Sequence, residues 1–409
     1  MTHTPSGLAE RPKPTASAFR EVITAFLKLG LISFGGPIAH LGYFHAEFVE
    51  RRRWISDAAY AELVALCQFL PGPASSQVAF ALGMRRAGLV GAILASLCFL
   101  LPSAVLMIAF AYGISALGTS QAAGWVHGLK LAAVAVVAQA VWGMFHRLCP
   151  DRPRISICLA AAAVLIVLPG AWTQVGAIVA GGLAGRALFR HAAHASQLDG
   201  HETTRGHKPA IAALIGFGVL LLLTSVVAKA TGSRDIAVFD SFYRSSSLVF
   251  GGGHVVLPLL RAEVVPNGWI SDDAFLAGYG AAQAVPGPLF SFSGYLGAVI
   301  YQGRLAWIGG LWCLFASFLP ALLLIGGALP FWQQLRSKVW AQAGLRGANA
   351  SVVGVLLAAL YSPVITEGVR GQLDVAGALI AFGLLQFWHV PPWVVVLLCA
   401  AAGHWILGT

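Results

Sequence analysis

Two prolines that flank a glycine occur twice in this chain, as Pro71-Gly72-Pro73 and Pro286-Gly287-Pro288, inside strongly apolar surroundings. A proline removes a backbone N–H and clashes with the preceding turn, so a helix breaks at such a site. Where a helix restarts, its first amides have no partner within the helix, and with the positive end of the helix dipole they can bind an anion. We therefore expect half-helices that start at Pro73 and Pro288.

The residues around the two breaks supply the hydrogen-bond donors that an oxyanion needs. Two helix starts entering from opposite membrane faces could point at one place near the midplane. A dianion suits that arrangement, because removing its water costs many kilocalories unless every oxygen finds a donor. The alternative is that both breaks are packing kinks. The candidate substrate-binding residues are Gln68, Gly72, Pro73, Ala74, Ser75, Ser76 and Gln77 in the first copy, and Gln283, Gly287, Pro288, Leu289, Phe290, Ser291 and Ser293 in the second.

Glycine runs form a second repeated motif, "FGGPIAH" at 34–40 and "FGGGHVV" at 250–256. Glycine allows close helix packing or a positive φ, so these runs either pack helices or line an ion path. The histidine after each run is either a hydrogen-bonded polar residue or a proton carrier. Three consecutive arginines farther on either set the membrane topology alone or also attract anions. The candidate path or gating residues are Gly35, Gly36, His40, Arg51, Arg52, Arg53, Gly251, Gly252, Gly253 and His254.

Two glutamates at equivalent positions, Glu47 and Glu263, are the candidates for proton coupling. A carboxyl at membrane depth can become neutral as it is buried. The alternative is that both lie in amphipathic helices at the interface, where a glutamate is ordinary. The motif "WISD", at 54–57 and 269–272, combines a tryptophan that can anchor at the interface with a serine or aspartate that can cap a helix.

Other chemistry is not favoured by the sequence. The six cysteines show no CxxC or ligand spacing, so we expect buried thiols rather than a disulfide or a metal site. His191 and His194 lie one helical turn apart, in a polar stretch at 190–208 that is typical of a solvated linker. No redox cofactor motif, cysteine pair or catalytic dyad is apparent, so we expect no cofactor, no metal and no enzyme. We attribute the net charge of +10 to topology and attraction to anionic lipid, and we expect no nucleic acid partner.

The elements that must position these residues are membrane helices. The chain is 58% hydrophobic and only 10% charged over 409 residues, which is more apolar surface than a soluble domain of this size could bury. Apolar segments near the ~20 residues needed to cross a bilayer recur, and we count roughly ten to thirteen membrane segments, some of them broken or re-entrant. The clearest are 87–112, 124–146, 209–228, 305–330 and 392–407. The predicted fold class is an all-α, polytopic integral membrane protein.

The two halves of the chain are related by duplication. Besides the proline and glycine motifs, Gly91 and Pro102 match Gly309 and Pro320 at an offset of 218, against 215 at the breaks, so an insertion falls near "YQGR". The arginine-rich loops place the first motif in the cytoplasm. Five predicted spans then separate the two motifs, which delivers the second motif to the opposite face, so the repeats are predicted to be inverted. We assign 1–18 to a disordered cytoplasmic tail, 19–189 and 209–409 to the two repeats, and 190–208 to the connector.

The segments "FGGPIAHLGYFHAEFVERRRWISDAAYAELVALCQFLPGPASSQ" and "VFGGGHVVLPLLRAEVVPNGWISDDAFLAGYGAAQAVPGPLFSFSGYLG" resemble the two signature regions of the CHR family of chromate ion transporters, in its long two-domain form. The resemblance covers both halves. It implies export of chromate from the bacterial cytoplasm, which confers resistance, driven by the membrane potential or the proton gradient. It also implies a multi-pass protein of the bacterial inner membrane with inverted homologous halves.

Several alternatives stay open at this point. Chromate and sulfate are tetrahedral dianions of similar size, so the chain could instead be a general sulfate or oxyanion carrier in which sulfate competes. A channel for small anions would share the same site but lack alternate closure. An intramembrane enzyme is the alternative from another class. Glycine-rich segments make a homodimer plausible, although glycine is frequent in any packed helix bundle.

Overall fold

The computed structural model describes residues 15–189, 207–250, 253–332 and 338–406, and within these ranges the chain is helical with no strand. We number the main helices in chain order. The first repeat contains α1 (Ala16–Ile32), α2 (Gly36–His45), α3 (Asp57–Phe69), α4 (Ala74–Leu148), α5 (Arg152–Val167) and α6 (Ala171–Leu188). Next come α7 (His207–Thr231), α8 (Arg234–Ser247), α9 (Val256–Val264), α10 (Asp272–Ala282), α11 (Phe292–Tyr301) and α12 (Ala306–Ala328). The last are α13 (Val339–Ala359), α14 (Gln372–Gln386) and α15 (Pro392–Ile406).

Five helical segments of the described chain are long and apolar enough to cross a membrane: Ala74–Ile114, Gly124–Leu148, Lys208–Thr231, Gly303–Phe331 and Val339–Gly368. Their outward faces carry large apolar side chains. On α7, for example, Leu222 is 72% exposed and Ile215 is 60% exposed. Apolar surface of this extent requires lipid around it, because water would drive it to aggregate. The predicted all-α membrane fold is therefore confirmed.

The helix α4 folds back on itself at Gly88, which has φ +67°. In a straight α-helix, residues eight apart are separated by about 12 Å. Here Gly83 instead packs against the carbonyl of Gly91, so the chain forms a tight helical hairpin. The second repeat has the same hairpin between α11 and α12, where Gly297 packs against the carbonyl of Gly309. The insertion near "YQGR" forms the turn of that second hairpin.

The hairpins and the capped helices before them identify corresponding elements in the two repeats. The helices α3 and α10 both begin after a serine cap, since the hydroxyls of Ser56 and Ser271 accept the amides of Ala59 and Ala274 at 3.4 and 3.3 Å. Serine, rather than the aspartate that follows it, is thus the cap in both copies. By its position before these elements, helix α1 of the first repeat corresponds to α8 of the second. Helix α7 lies between the two groups of corresponding helices in the chain.

The repeats interleave rather than stand side by side. Helix α6 of the first repeat packs on α13 of the second, where Gly185 meets the backbone of Gly347. In the other direction α15 packs on the end of α4, where Gly403 meets Gly128. A side chain at any of these glycines would separate the helices, so the glycines set the close approach. Because the repeats interleave, the two proline breaks belong to one packed helix bundle.

Candidate functional site

Both proline breaks interrupt helices, as predicted. In the first repeat α3 ends at Phe69 and α4 begins at Ala74, after Pro73 in an extended conformation with ψ 94°. In the second repeat α10 ends at Ala282, and a 3-10 turn at Leu289–Ser291 leads into α11. Pro73 is the cap of α4 and Pro288 is the cap of the 3-10 turn, so neither proline is the first helical residue, and α11 itself begins only at Phe292. The irregular backbone between them is a break and not a simple kink.

The first break presents unpaired amides. The amide of Gln77 donates to the carbonyl of Pro73 at 3.0 Å, which is the first hydrogen bond of the helix. The amides of Ala74, Ser75 and Ser76 come before it and have no acceptor within the helix. These three amides and the positive end of the helix dipole are the anion-binding feature predicted for this copy.

The second break differs, because the 3-10 turn uses one of the amides. Ser291 donates its amide to the carbonyl of Pro288 at 2.9 Å, so the expectation that this amide is free is wrong. The amides of Leu289 and Phe290 precede it. The Ser293 hydroxyl accepts a 2.7 Å hydrogen bond from Ser317, which leaves its own hydrogen available to donate. The second copy therefore offers fewer free donors than the first.

The two breaks are joined by a short chain of contacts. The amide of Gly287, in the second break, donates to the carbonyl of Ser33 at 2.8 Å. The same carbonyl lies 3.1 Å from Nε2 of His40, whose Nδ1 lies 3.3 Å from the hydroxyl of Ser75 at the start of α4. A carbonyl can only accept, so Nε2 carries the proton, and Nδ1 of a neutral ring accepts from Ser75. His40 is thus hydrogen-bonded on both sides, and it holds one break to the other.

The same crossing occurs in the opposite direction. The amide of Gly72, in the first break, donates to the carbonyl of Val249 in the second repeat at 2.7 Å. Ser33 and Val249 are equivalent positions, each directly before a phenylalanine and a glycine run. Backbone carbonyls make both contacts, and every residue type has one. The side chains at these two positions therefore give no signal of the contacts in the sequence.

The central glycine of each break fits against the other repeat. Gly72 has φ +115°, and a methyl group there would lie 2.9 Å from Cβ of Ala321. Gly287 has φ +104°, and a methyl group there would lie 2.9 Å from the hydroxyl of Ser103. Ser103 and Ala321 directly follow Pro102 and Pro320, so they too are equivalent positions. Glycine is required at both sites by conformation and by space.

One hydroxyl at the first helix start has no protein partner. Ser76 is 2% exposed, and its Oγ makes no hydrogen bond within the described part of the chain. Gln77 donates its side-chain amide to the carbonyl of Pro71 at 2.8 Å, while its Oε1 is likewise buried and unpaired. A buried polar atom without a partner is costly, so a bound ion or water is expected to complete the site.

The first glycine run adopts the backbone that only glycine tolerates well. Gly35 and Gly36 have φ +96° and +78°. In the second repeat Gly253 and His254 lie in a 3-10 turn, and Nδ1 of His254 is 2.7 Å from the hydroxyl of Tyr279. The predicted path residues Gly251 and Gly252 lie outside the described residues, as do His191 and His194.

Glu47 is surrounded by cations. Its carboxylate lies 2.6 Å from Arg52, 2.9 Å from Arg51 and 3.6 Å from Lys28, on a π-helical turn that follows α2. Burial alone would raise the pKa of Glu47, but the hydrogen bonds from Arg52 and Arg51 outweigh it and hold that pKa below its ordinary value. Of the three predicted path arginines, only Arg53 is exposed without an ion pair among the described residues.

Glu263 has a related environment. Its carboxylate lies 2.7 Å from the guanidinium of Arg244 and accepts a 3.2 Å hydrogen bond from Ser241. Arg244 occupies the position equivalent to Lys28, so each repeat pairs a glutamate with a cation from its first helix. The two cations stand 216 positions apart in the sequence, as do the two glutamates. This equal spacing is the sequence signal for the pairing.

No group of three or more histidine, cysteine, aspartate or glutamate side chains could hold a metal ion in the ranges that the structure describes. The six cysteines are free thiols, four buried and two half-buried.

Comparisons with known proteins agree with the geometry. The family model described as "Chromate transporter" matches residues 20–186 and 236–404, which leaves α7 between the matched segments. The chain is 30% identical to the chromate transport protein of Pseudomonas aeruginosa, over 96% of this chain and 94% of that protein. It is 26% identical to the probable chromate transport protein of Synechococcus elongatus, over 95% of each. It is 28% identical to the chromate transport protein of Cupriavidus metallidurans, over 88% and 86%. No solved structure matches the chain.

Proposed function

This chain belongs to the chromate transporter family, and from that premise we propose that it exports chromate from the bacterial cytoplasm, across the inner membrane, by alternating access. Export lowers the cytoplasmic concentration of a toxic oxidant and so confers resistance. Its inverted repeats would rock against each other around a central ion site.

One observation carries the proposed site: the chain of contacts from Gly287 through Ser33 and His40 to Ser75. It ties the second proline break to the start of α4. A helix start that is fixed by contacts from both repeats is well placed to respond when one repeat moves against the other. We therefore place the ion at the start of α4, beside the second break.

The donors at this place are neutral. The amides of Ala74, Ser75 and Ser76 and the unpaired hydroxyl of Ser76 would each donate to an oxygen of the ion. The hydroxyl hydrogen of Ser75 is used by His40, so Ser76 is the better side-chain donor. Sulfate presents oxygens in the same tetrahedral arrangement, and we propose it as a competing substrate.

The membrane potential supplies enough energy for this direction of transport. Moving one charge across the membrane is worth about 2.3 kcal/mol per 100 mV, so a dianion leaving a negative interior gains about 4.6 kcal/mol. Each 1.4 kcal/mol corresponds to a tenfold ratio of concentrations. The chromate concentration outside could therefore exceed that in the cytoplasm by about three orders of magnitude.

Proton coupling through Glu47 or Glu263 forms a second part of the proposal, although the lowered pKa of Glu47 opposes protonation of that carboxylate near neutral pH. Protonation of either carboxylate would release its cationic partner, Arg51 and Arg52 in one case and Arg244 in the other. That would change the charge presented to the ion path. Glu47→Gln and Glu263→Gln are the tests, and full efflux driven by a pH gradient in both variants would remove proton coupling at these sites.

The experiment is uptake of radiolabelled chromate into inverted membrane vesicles that carry this protein. Accumulation that depends on an imposed potential or pH gradient, and that exceeds uptake by vesicles without the protein, supports an exporter. Equilibration without accumulation would instead identify a channel. Equal inhibition by sulfate and by unlabelled chromate would identify a general oxyanion carrier.

A further inference from the structure

A cavity of about 380 Å³ lies between the end of α3, the residues that follow α12, and α13. Ala65, Gln68, Trp332, Leu345 and Asn349 line it. The rings of Phe69 and Trp332, 5.6 Å apart, close one side. Gln68 precedes the first proline break by three residues, so the cavity adjoins the approach to the start of α4.

The lining of this cavity is mostly apolar, but it includes polar groups, and two of these are unpaired. The indole Nε1 of Trp332 and the Oδ1 of Asn349 are buried and have no hydrogen-bond partner within the described residues. Rotating the Asn349 side-chain amide by half a turn presents its N–H donors instead. Lipid cannot satisfy these groups, so the cavity is suited to water or a polar ligand.

Two cationic residues lie close in the sequence to residues that line the cavity, although neither lines it. Lys338 directly precedes α13, and Arg346 lies within the first turns of that helix, next to Leu345. The concentration of cations near this end of α13 fits the face of the membrane that carries Arg51, Arg52 and Arg53. An anion in the cytoplasm would be attracted to this entrance.

The equivalent place in the other half of the molecule is closed. Gly280 is the counterpart of Ala65 at the offset of 215, and Leu129 is matched to Leu345 by the similar segments "GLK" at 128–130 and "GLR" at 344–346. There Gly280 packs directly on the carbonyl of Leu129. Both residues are buried, whereas Ala65 is exposed at the cavity. Gly280 and Leu129 are therefore in contact, whereas the equivalent residues Ala65 and Leu345 line an open cavity.

An ion pair between a buried lysine and an exposed aspartate holds the closed side together. Nζ of Lys130, on α4, lies 2.6 Å from the carboxylate of Asp273 at the start of α10 and donates to the carbonyl of Glu367 at 2.8 Å. Lys130 is 1% exposed. The position equivalent to Asp273 in the first repeat is Ala58, so this particular aspartate is not repeated there.

We infer that the cavity lined by Gln68, Trp332 and Asn349 is an oxyanion-binding vestibule on the cytoplasmic side, open in this conformation, and that the contact of Gly280 with Leu129 is its closed counterpart. Closure of the vestibule would bring Ala65 onto Leu345 while α10 moves away from α4. This inference rests on the proposed transport function, which supplies the ligand.

The open and closed assignment is tested by the matched variants Leu345→Cys and Leu129→Cys in the full chain. A membrane-impermeant maleimide is added to inverted vesicles, in which the cytoplasmic face is outermost, and labelling is compared with that of the parent protein. We expect Leu345→Cys to be labelled at least tenfold faster than Leu129→Cys. Equal labelling of the two variants, or no labelling of Leu345→Cys above the parent, would overturn the assignment.

The oxyanion part is tested by Gln68→Glu, which changes charge but hardly changes shape. Gln68 is exposed, so this variant is expected to fold. Gln372→Glu, at the exposed start of α14, is the matched control. We expect the KM for chromate to rise at least tenfold for Gln68→Glu, with little change in maximal rate, and to stay constant for the control. An unchanged KM for Gln68→Glu would reject the vestibule. A parent protein that moves no chromate would reject the proposed function instead, while the labelling result would still stand.

Discussion

The amide of Gly72 donates a 2.7 Å hydrogen bond to the carbonyl of Val249, and this contact joins the proline break of the first repeat to the glycine-run loop of the second. The equivalent contact, from Gly287 to Ser33, runs the other way at 2.8 Å. Equivalent residues therefore make the same contact in both directions. In the proposed transport cycle, where one repeat rocks against the other, these bonds are suited to act as the pivot.

The two break glycines are expected to tolerate no side chain. Gly72→Ala or Gly287→Ala forces a positive φ on alanine, at about 1–3 kcal/mol, and crowds Ala321 or Ser103. We expect a lower melting temperature in detergent and a large loss of chromate uptake. Gly216→Ala in α7 is the control, because a methyl group there meets nothing within 4 Å. Parent-like stability and uptake in both break variants would refute the packing argument.

Ser76→Ala is expected to weaken chromate binding without lowering the stability of the protein. The Ser76 hydroxyl has no partner among the described residues, so its removal sacrifices no protein hydrogen bond and the melting temperature should hold or rise. If the hydroxyl donates to the ion, the KM for chromate rises several-fold. Ser96→Ala is the control, because that buried hydroxyl bonds the carbonyl of Ala92 at 3.0 Å in the same helix. The control should lose about 1 kcal/mol of stability and keep its KM. A parent-like KM for Ser76→Ala would remove this residue from the site.

The carboxylate of Glu47 is expected to make stability depend on acid pH. The folded-state pKa of Glu47 is lowered, so its contribution is complete above the ordinary glutamate pKa of about 4.3 and is lost as pH falls through the folded value. Melting temperatures of the parent should therefore fall on acidification below that range. Glu47→Gln should be less stable than the parent at neutral pH and should show a shallower acid dependence. Identical pH profiles for parent and variant would contradict this assignment.

The pair of Lys130 and Asp273 is expected to respond unequally to the loss of each partner. Asp273→Asn leaves a buried ammonium without its charge partner and should cost about 1–3 kcal/mol. Lys130→Met replaces that ammonium by an apolar side chain and should cost less. Thermal unfolding of both variants, and of the double variant as control, gives the comparison. Either substitution should also increase labelling of Leu129→Cys, because the closed side is weakened, and unchanged labelling would argue against a gate at this place.

Much of the architecture followed from local pattern. The apolar segments, the proline breaks, the serine caps and the duplicated motifs are all readable from neighbouring residues, since helix formation, capping and breaking depend on positions a few residues apart. A positive φ at Gly35 and Gly36 was one of the two possibilities that the glycine run left open, and the structure has it. The engaged amide of Ser291 was not anticipated, because a 3-10 turn and an α-turn differ by one acceptor and the sequence favours neither.

The contacts between the repeats were decided by tertiary structure alone. Ser33 and Val249 act through backbone carbonyls, which carry no side-chain signal, and their partners are tens to hundreds of residues away. Likewise Trp332 and Asn349 share a cavity with Gln68 only because α13 packs beside the end of α3. The sequence by itself determined where helices form and break and that the chain is duplicated. How the two copies interlock depends on long-range packing between the repeats, because equivalent positions such as Ala65 and Gly280 make different contacts in the two halves.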